Sequence, residues 1–282
     1  MFNLLQKIKN NYVNNYPNDN DILNNPNITL INTNCNTFRI SILVIKDALE
    51  SKDYDILNNE YISVKDIFLL DKRNNPFLNP TKMMINNFIY TIDARRELNN
   101  NIISDNWKSF INYHLSNDFY EQLIILTKYS KSYKNIISRN KDVKNNVNTF
   151  LNLNCISPIN YFNSNSNLNI KEINSSTPFL GWFFLKKDND TSIGGNLTIL
   201  KKTIKNTLDN DSEEKKNKNE PIISVPYEKN TFIIIAFENI NQNLTPNPTQ
   251  NDDNIKLYYE FESRNITFHS QRYIEFGYKN KK

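Results

Sequence analysis

Four glycines serve all 282 residues, and two of them stand side by side, as Gly194-Gly195, between two hydrophobic runs. The stretch around that pair, Phe179 to Glu262, constrains the fold more than any other part of the chain. Phe179 to Leu185 (FLGWFFL) is almost wholly apolar, as a strand covered on both faces would be. Asp188 to Gly195 is polar and ends in the residues that tolerate positive φ, so the chain can turn there. Leu197 and Ile199 then alternate with Asn196 and Thr198, which is strand periodicity. Thr231 to Phe237 is β-branched and aromatic, and Ile255, Leu257, Tyr259 and Phe261 alternate with Lys256, Tyr258 and Glu260. The spacing predicts four strands joined by turns and one long loop.

The order of these pieces, Gly194-Gly195-Asn196-Leu197-Thr198-Ile199-Leu200, then Tyr227 to Phe237, then Leu244-Thr245-Pro246, then Lys256 to Glu262, resembles the C-terminal half of the 2-oxoglutarate/Fe(II)-dependent oxygenases. Upstream, Asn106 to His114 followed by Asp118-Phe119-Tyr120 is similar to a helical segment of some members, so the resemblance runs from Ser104 to Glu262. It implies an α+β protein: a double-stranded β-helix, or jelly roll, with N-terminal helices packed on one sheet.

The resemblance also implies an iron site of two His and one carboxylate with open positions for cosubstrate and oxygen. The sequence departs from the family there. Where the first His and the carboxylate belong, the chain reads Lys171-Glu172-Ile173-Asn174, and Gln242 stands at the second His position. Glu172 alone survives as a ligand, and one carboxylate does not hold Fe(II) against water. Lys256 falls where the family's cosubstrate clamp would stand, as a point charge without the bidentate fork of an Arg. Its other reading is the solvent face of an edge strand.

Neither histidine restores the set. His114 and His269 are followed two residues later by Ser116 and Gln271, not by an acid. His114 closes an amphipathic stretch (Trp107, Phe110, Ile111) with Ser104 as N-cap, and is read as a surface or boundary residue; His269 is read as structural in a strand from Asn265. Cys35 and Cys155 form no zinc motif.

The first functional expectation is therefore a degenerate oxygenase-like protein that needs no iron and keeps a pocket between the sheets for a small acidic or sugar-like ligand, lined by Glu172, Gln242 and Lys256. The alternative is a structural or interaction jelly roll of viral or mobile-element origin. A third reading is an active 2-oxoglutarate dioxygenase with unrecognised ligands; only under it are Fe(II) and 2-oxoglutarate expected as cofactors, and otherwise none is. The partner is a small molecule or a protein of unspecified identity.

Composition bounds other partners. Lys and Arg number 34 against 30 acids, and no basic stripe interleaves with aromatics, so nucleic acid is not expected. No apolar run approaches the ~18–20 residues that cross a bilayer. Two distant cysteines and no signal segment point to a reducing cytoplasm. Asparagine makes up roughly a fifth of the chain, with Lys, Ile, Phe and Tyr also high, the usage of an AT-rich genome.

Along the chain, residues 1–25 read as a polar tail or loosely docked helix. Residues 26–150 read as a helical and strand region supporting the core, with a hairpin of Asn27–Ile31 and Phe38–Ile45, apolar runs at Val64–Leu70 and Met83–Ile92, and a helix over Ser116–Ser130 capped by Asp118 and Glu121. Residues 151–282 read as the jelly-roll core. Within it, residues 201–220 (KKTIKNTLDNDSEEKKNKNE) are expected to form a mobile insertion.

Overall fold

Alternation along the predicted strands becomes, in three dimensions, a division of side chains between two cores. The computed structural model describes residues 2–5, 26–34, 38–63, 66, 89–99, 101–126, 147–156, 170–173, 177–204, 219–239, 254–262, 264 and 269–280. In chain order the elements are β1 (Ile28–Asn34), β2 (Phe38–Ile45), α1 (Ser51–Asn59), β3 (Ile89–Asp93), α2 (Asp105–His114), α3 (Asn117–Leu126), β4 (Val147–Ile156), β5 (Lys171–Ile173), β6 (Phe179–Phe184), β7 (Leu197–Ile204), β8 (Asn219–Val225), β9 (Phe232–Asn239), β10 (Asn254–Phe261) and β11 (Gln271–Asn280). The protein is β-rich, with few helices.

The strands form a seven-stranded sheet, β1-β2-β9-β6-β11-β4-β3, and a four-stranded sheet, β5-β10-β7-β8, antiparallel throughout. From β4 the chain passes between the sheets in a fixed rhythm. β4 pairs with β11, β5 with β10, β6 with β9 and β7 with β8. The eight strands are thus one long hairpin whose arms wind together, β7 and β8 lying at its closed end. β1 and β2 extend the larger sheet beyond β9, and β3 extends it beyond β4. The predicted hairpin of β1 and β2 is present, in register from Ile28↔Ile45 to Asn34↔Arg39.

Strand period two assigns the faces. In β6, Phe179 and Phe183 join the core under the helices, while Leu180, Trp182 and Phe184 join the core between the sheets. In β9, Phe232, Ile234 and Ala236 go to the first and Ile233, Ile235 and Phe237 to the second. Both strands are covered on both sides, which is why their sequences read as unbroken apolar runs. Fully burying each such side chain contributes about 1.5–3 kcal/mol.

The helices cover the other face of the larger sheet. Ser104 caps α2, its Oγ accepting from Trp107 N at 3.2 Å, as the sequence predicts. The cap of α3 is Ser116, whose Oγ accepts from Phe119 N at 3.3 Å. This corrects the expected cap at Asp118: a serine one residue before the helix reaches the free N–H, and Asp118 already lies in the first turn. Helix α1 is not signalled in the sequence, because no side chain caps it. Trp107 Nε1 bonds the Leu57 carbonyl at 3.0 Å and Tyr54 Oη bonds the Lys186 carbonyl at 2.7 Å, so tertiary contacts hold it.

Two further expectations change. Residues 201–204 continue β7, and Asn219 and Glu220 open β8 in pairing with Lys202 and Lys201, so the ends of the predicted insertion are ladder. Residues 205–218 lie outside the described residues. The strand expected from Asn265 to His269 falls partly outside them; His269 sits in a bend, and the strand that follows is β11. Among the described residues no helix is long and apolar enough to cross a membrane.

Candidate functional site

The structure brings Glu172 and Lys256 together, but outside the inter-sheet space. Glu172 is on β5 and Lys256 on neighbouring β10, with Nζ 3.0 Å from Oε1 and side chains 49% and 42% exposed. Lys256 shares its face with Tyr258 and Glu260, while Leu257, Tyr259 and Phe261 point into the core between the sheets. The Glu172 carboxylate raises the Lys256 ammonium above its ordinary value by hydrogen bond and charge. Such an exposed pair is screened by water and salt. Gln242 lies outside the described residues.

The space between the sheets is filled with rings. Trp182 meets Tyr259 at 4.9 Å between centroids, Phe184 meets Tyr227 at 5.3 Å, and Phe261 meets Tyr273 at 4.5 Å. One carboxylate enters this layer: Glu275 of β11, buried, accepts from Tyr259 Oη. Burial first, then the Glu275 charge, pushes the Tyr259 phenol far above its usual range. Trp182 Nε1 is buried there without a hydrogen-bond partner among the described residues.

His114 is fully buried, which corrects its reading as a surface or boundary residue. It lies in the helix-side core among Phe110, Phe119 and Phe276. Its Nδ1 sits 2.7 Å from the Phe110 carbonyl and must donate to it; Nε2 then accepts from Leu4 N at 3.4 Å. Burial is the dominant cause that lowers its pKa to about 3, against the Phe110 bond, which favours the cation. Both ring nitrogens are thus committed to backbone, and the side chain joins the opening residues of the chain to α2.

Beside the Gly-Gly turn lies a buried ion pair. Arg264 Nη1 lies 3.1 Å from Asp190 Oδ2, with side chains 2% and 1% exposed. Arg264 also donates to the His269 carbonyl and lies over the Tyr227 ring. Burial alone would raise Asp190, but hydrogen bonds from Ser192 and the Arg264 charge outweigh it and hold the carboxyl below its ordinary value. The Gly-Gly turn exists to admit this arginine. Gly195 has φ +76°, and a Cβ there would stand 2.7 Å from Arg264 Cδ.

A cleft lies on the helix side, where the end of α1, the loop after β6 and the start of β11 converge. It encloses about 490 Å³ and is lined by Asn58, Asn59, Tyr61, Ile62, Ser63, Lys187, Asp188, Asn189, His269, Ser270 and Arg272. Arg272 is its buried charge, 7% exposed. The guanidinium lies over the Tyr61 ring, 5.2 Å from its centroid. Nη1 donates to the Asn58 carbonyl at 3.1 Å and Nη2 to Asn58 Oδ1, while the buried Nε has no partner among the described residues. Asp188, the acid in the lining, is engaged by Lys229 at 2.6 Å. The sequence reading passed over Arg272; its phase with Ile274, Phe276 and Tyr278, all buried under the helices, was the available signal.

Among the described residues no three His, Cys, Asp or Glu side chains are grouped as metal ligands would be. No protein-family model and no curated protein matches the sequence. Among solved structures, the chain is similar to a prolyl-4-hydroxylase from Pseudomonas putida, with a TM-score of 0.37 and 6% identity over 86% of this chain and 93% of that one. It is also similar to a putative oxygenase from Shewanella oneidensis, with a TM-score of 0.39 and 10% identity over 84% of this chain and 80% of that one. At these scores neither likeness fixes a fold or a chemistry.

Proposed function

We propose that this chain is a double-stranded β-helix protein of the 2-oxoglutarate/Fe(II) oxygenase type that works without iron, as a binding protein and not as an oxygenase. The pairing of β4 with β11, β5 with β10, β6 with β9 and β7 with β8 supports the fold assignment, since a jelly roll is a hairpin wound on itself in this order. One observation carries the functional half: the space between the sheets, where such an enzyme keeps its metal, is packed by Trp182, Phe184, Tyr227, Tyr259, Phe261 and Tyr273. The two histidines of the chain do not offer a matched pair of free imidazoles to that space. His114 lies in the helix-side core with both nitrogens bonded, and His269 lines the cleft at the end of α1. The outward turn of Lys256 removes the clamp that the resemblance implies.

The test is an anaerobic titration of the purified full chain with Fe(II) and 2-oxoglutarate, followed by the metal-to-ligand absorption band. No band is expected. A stoichiometric band that disappears on replacing His269 or Glu275 would overturn the reading.

A further inference from the structure

Arg272 is a cation taken out of water and given only neutral acceptors. Its partners are the Asn58 carbonyl, Asn58 Oδ1 and the Tyr61 ring, and among the described residues no carboxylate is bonded to it. A buried charge without a counter-ion is costly, and proteins retain one where something else supplies the opposite sign. Part of the arrangement is structural, since Nη1 caps a carbonyl at the C-terminal end of α1. That use takes the terminal edge of the guanidinium; among the described residues the buried Nε, on the edge that forms a two-pronged bond with an oxyanion, has no acceptor.

The cleft in which this happens is sized for a molecule and not for a single ion. At about 490 Å³ it falls within the range of small-molecule sites. Lys187 adds a second positive charge to its wall, and the Asp188 charge is offset by Lys229, so the local field favours an anion. Ser63 and Ser270 add hydroxyls that can donate to oxygen or accept from a polar body.

We propose that this cleft binds a small organic anion whose carboxylate or phosphate group docks on the guanidinium of Arg272, with Lys187 as the second contact. The site lies on the helix side of the larger sheet, apart from the inter-sheet interior, and it gives the binding protein proposed above its ligand class and position. It rests on that reading, but the two fail separately. The experiment below uses metal-free protein, so silence from anions says nothing about iron, and an iron band says nothing about this cleft.

The full chain, stripped with a chelator and returned to chloride buffer, is titrated with inorganic phosphate, with citrate and with glucose, at matched ionic strength. Thermal unfolding and calorimetry are the readouts. Phosphate or citrate is expected to raise the unfolding midpoint saturably, by about 3–6 °C at a concentration tenfold above its Kd. The stronger of the two identifies the docking group. Lys187→Gln is expected to weaken that binding roughly three- to tenfold, as loss of one partly exposed charge contact does, and Arg272→Gln to abolish it. Should Arg272→Gln fail to fold, the Nε–H resonance of Arg272 in the wild type decides: the bound anion shifts it and slows its exchange, which a merely structural arginine would not report. The proposal is overturned if neither anion gives a saturable response beyond the chloride control. A response to glucose alone, or anion binding unchanged in Lys187→Gln and with the Arg272 resonance unmoved, overturns it equally.

Discussion

Lowering the pH from 7 to 5 should destabilise this protein through one side chain, His114. In the folded state its Nδ1–H is spent on the Phe110 carbonyl and its Nε2 lone pair on Leu4 N–H, in a fully buried ring. Protonation would place a cation in an apolar core and convert the acceptor facing Leu4 into a second donor. Folding therefore holds the pKa at about 3, below the ordinary value of about 6.5. The depressed value means that the stability is complete above pH 6.5 and is lost as the pH falls toward 3, because the unfolded chain takes up the proton first. Linkage gives a loss of about 1.4 kcal/mol per pH unit within that window, or about 2 kcal/mol between pH 7 and pH 5. For a chain of this size that corresponds to a midpoint lower by about 4–8 °C. The assay is urea unfolding of the wild type and of His114→Phe at both pH values. The variant starts less stable, having lost both bonds, but its stability should change with pH by about 2 kcal/mol less than that of the wild type. Amide exchange at Leu4 should quicken over the same range, since the bond to Nε2 is the one broken. Equal pH dependence in the two proteins, or a His114 resonance that titrates near 6.5, would refute the reasoning.

Two further perturbations test the Gly-Gly turn and the ion pair beside it. Gly195→Ala should cost at least ~1–2 kcal/mol for the left-handed backbone alone, and more from the approach to Arg264, read as a lowered urea midpoint at unchanged slope. Asp190→Asn should cost roughly 3–5 kcal/mol at neutral pH, because Arg264 loses its buried carboxylate partner; the same substitution should remove the part of the acid sensitivity that appears as the pH falls below the ordinary carboxylate pKa.

Much of the framework is local and so was legible. β6 announces itself as apolar on both faces, β9 as β-branched and aromatic, β7 and β10 as alternating, and Ser104 as a cap, because each signal needs only the residues beside it. Helix α1 was not legible for the opposite reason. Its stability comes from Trp107 and from the Lys186 carbonyl, residues far along the chain, and its own end carries no capping side chain. His114 was misread on the same ground: nothing near it in sequence says that Leu4, 110 residues earlier, will meet its ring. Strand β11 was missed because Arg272 and Glu275 make it look polar, whereas both are buried against partners on other elements.

The contrast between Lys256 and Arg272 shows how strand register separates two cations. Both are single cations on alternating strands, and the resemblance to a family singled out the first. Alternation alone would have ranked them the other way. Lys256 is in phase with Tyr258 and Glu260, opposite the apolar set Leu257, Tyr259 and Phe261, so the more hydrophobic face takes the core and the lysine takes the water. Arg272 is in phase with Ile274, Phe276 and Tyr278, so register carries it inward with them under the helices. A charge that travels with the apolar face cannot be left there for nothing; it must find acceptors, and here Asn58 satisfies only part of it.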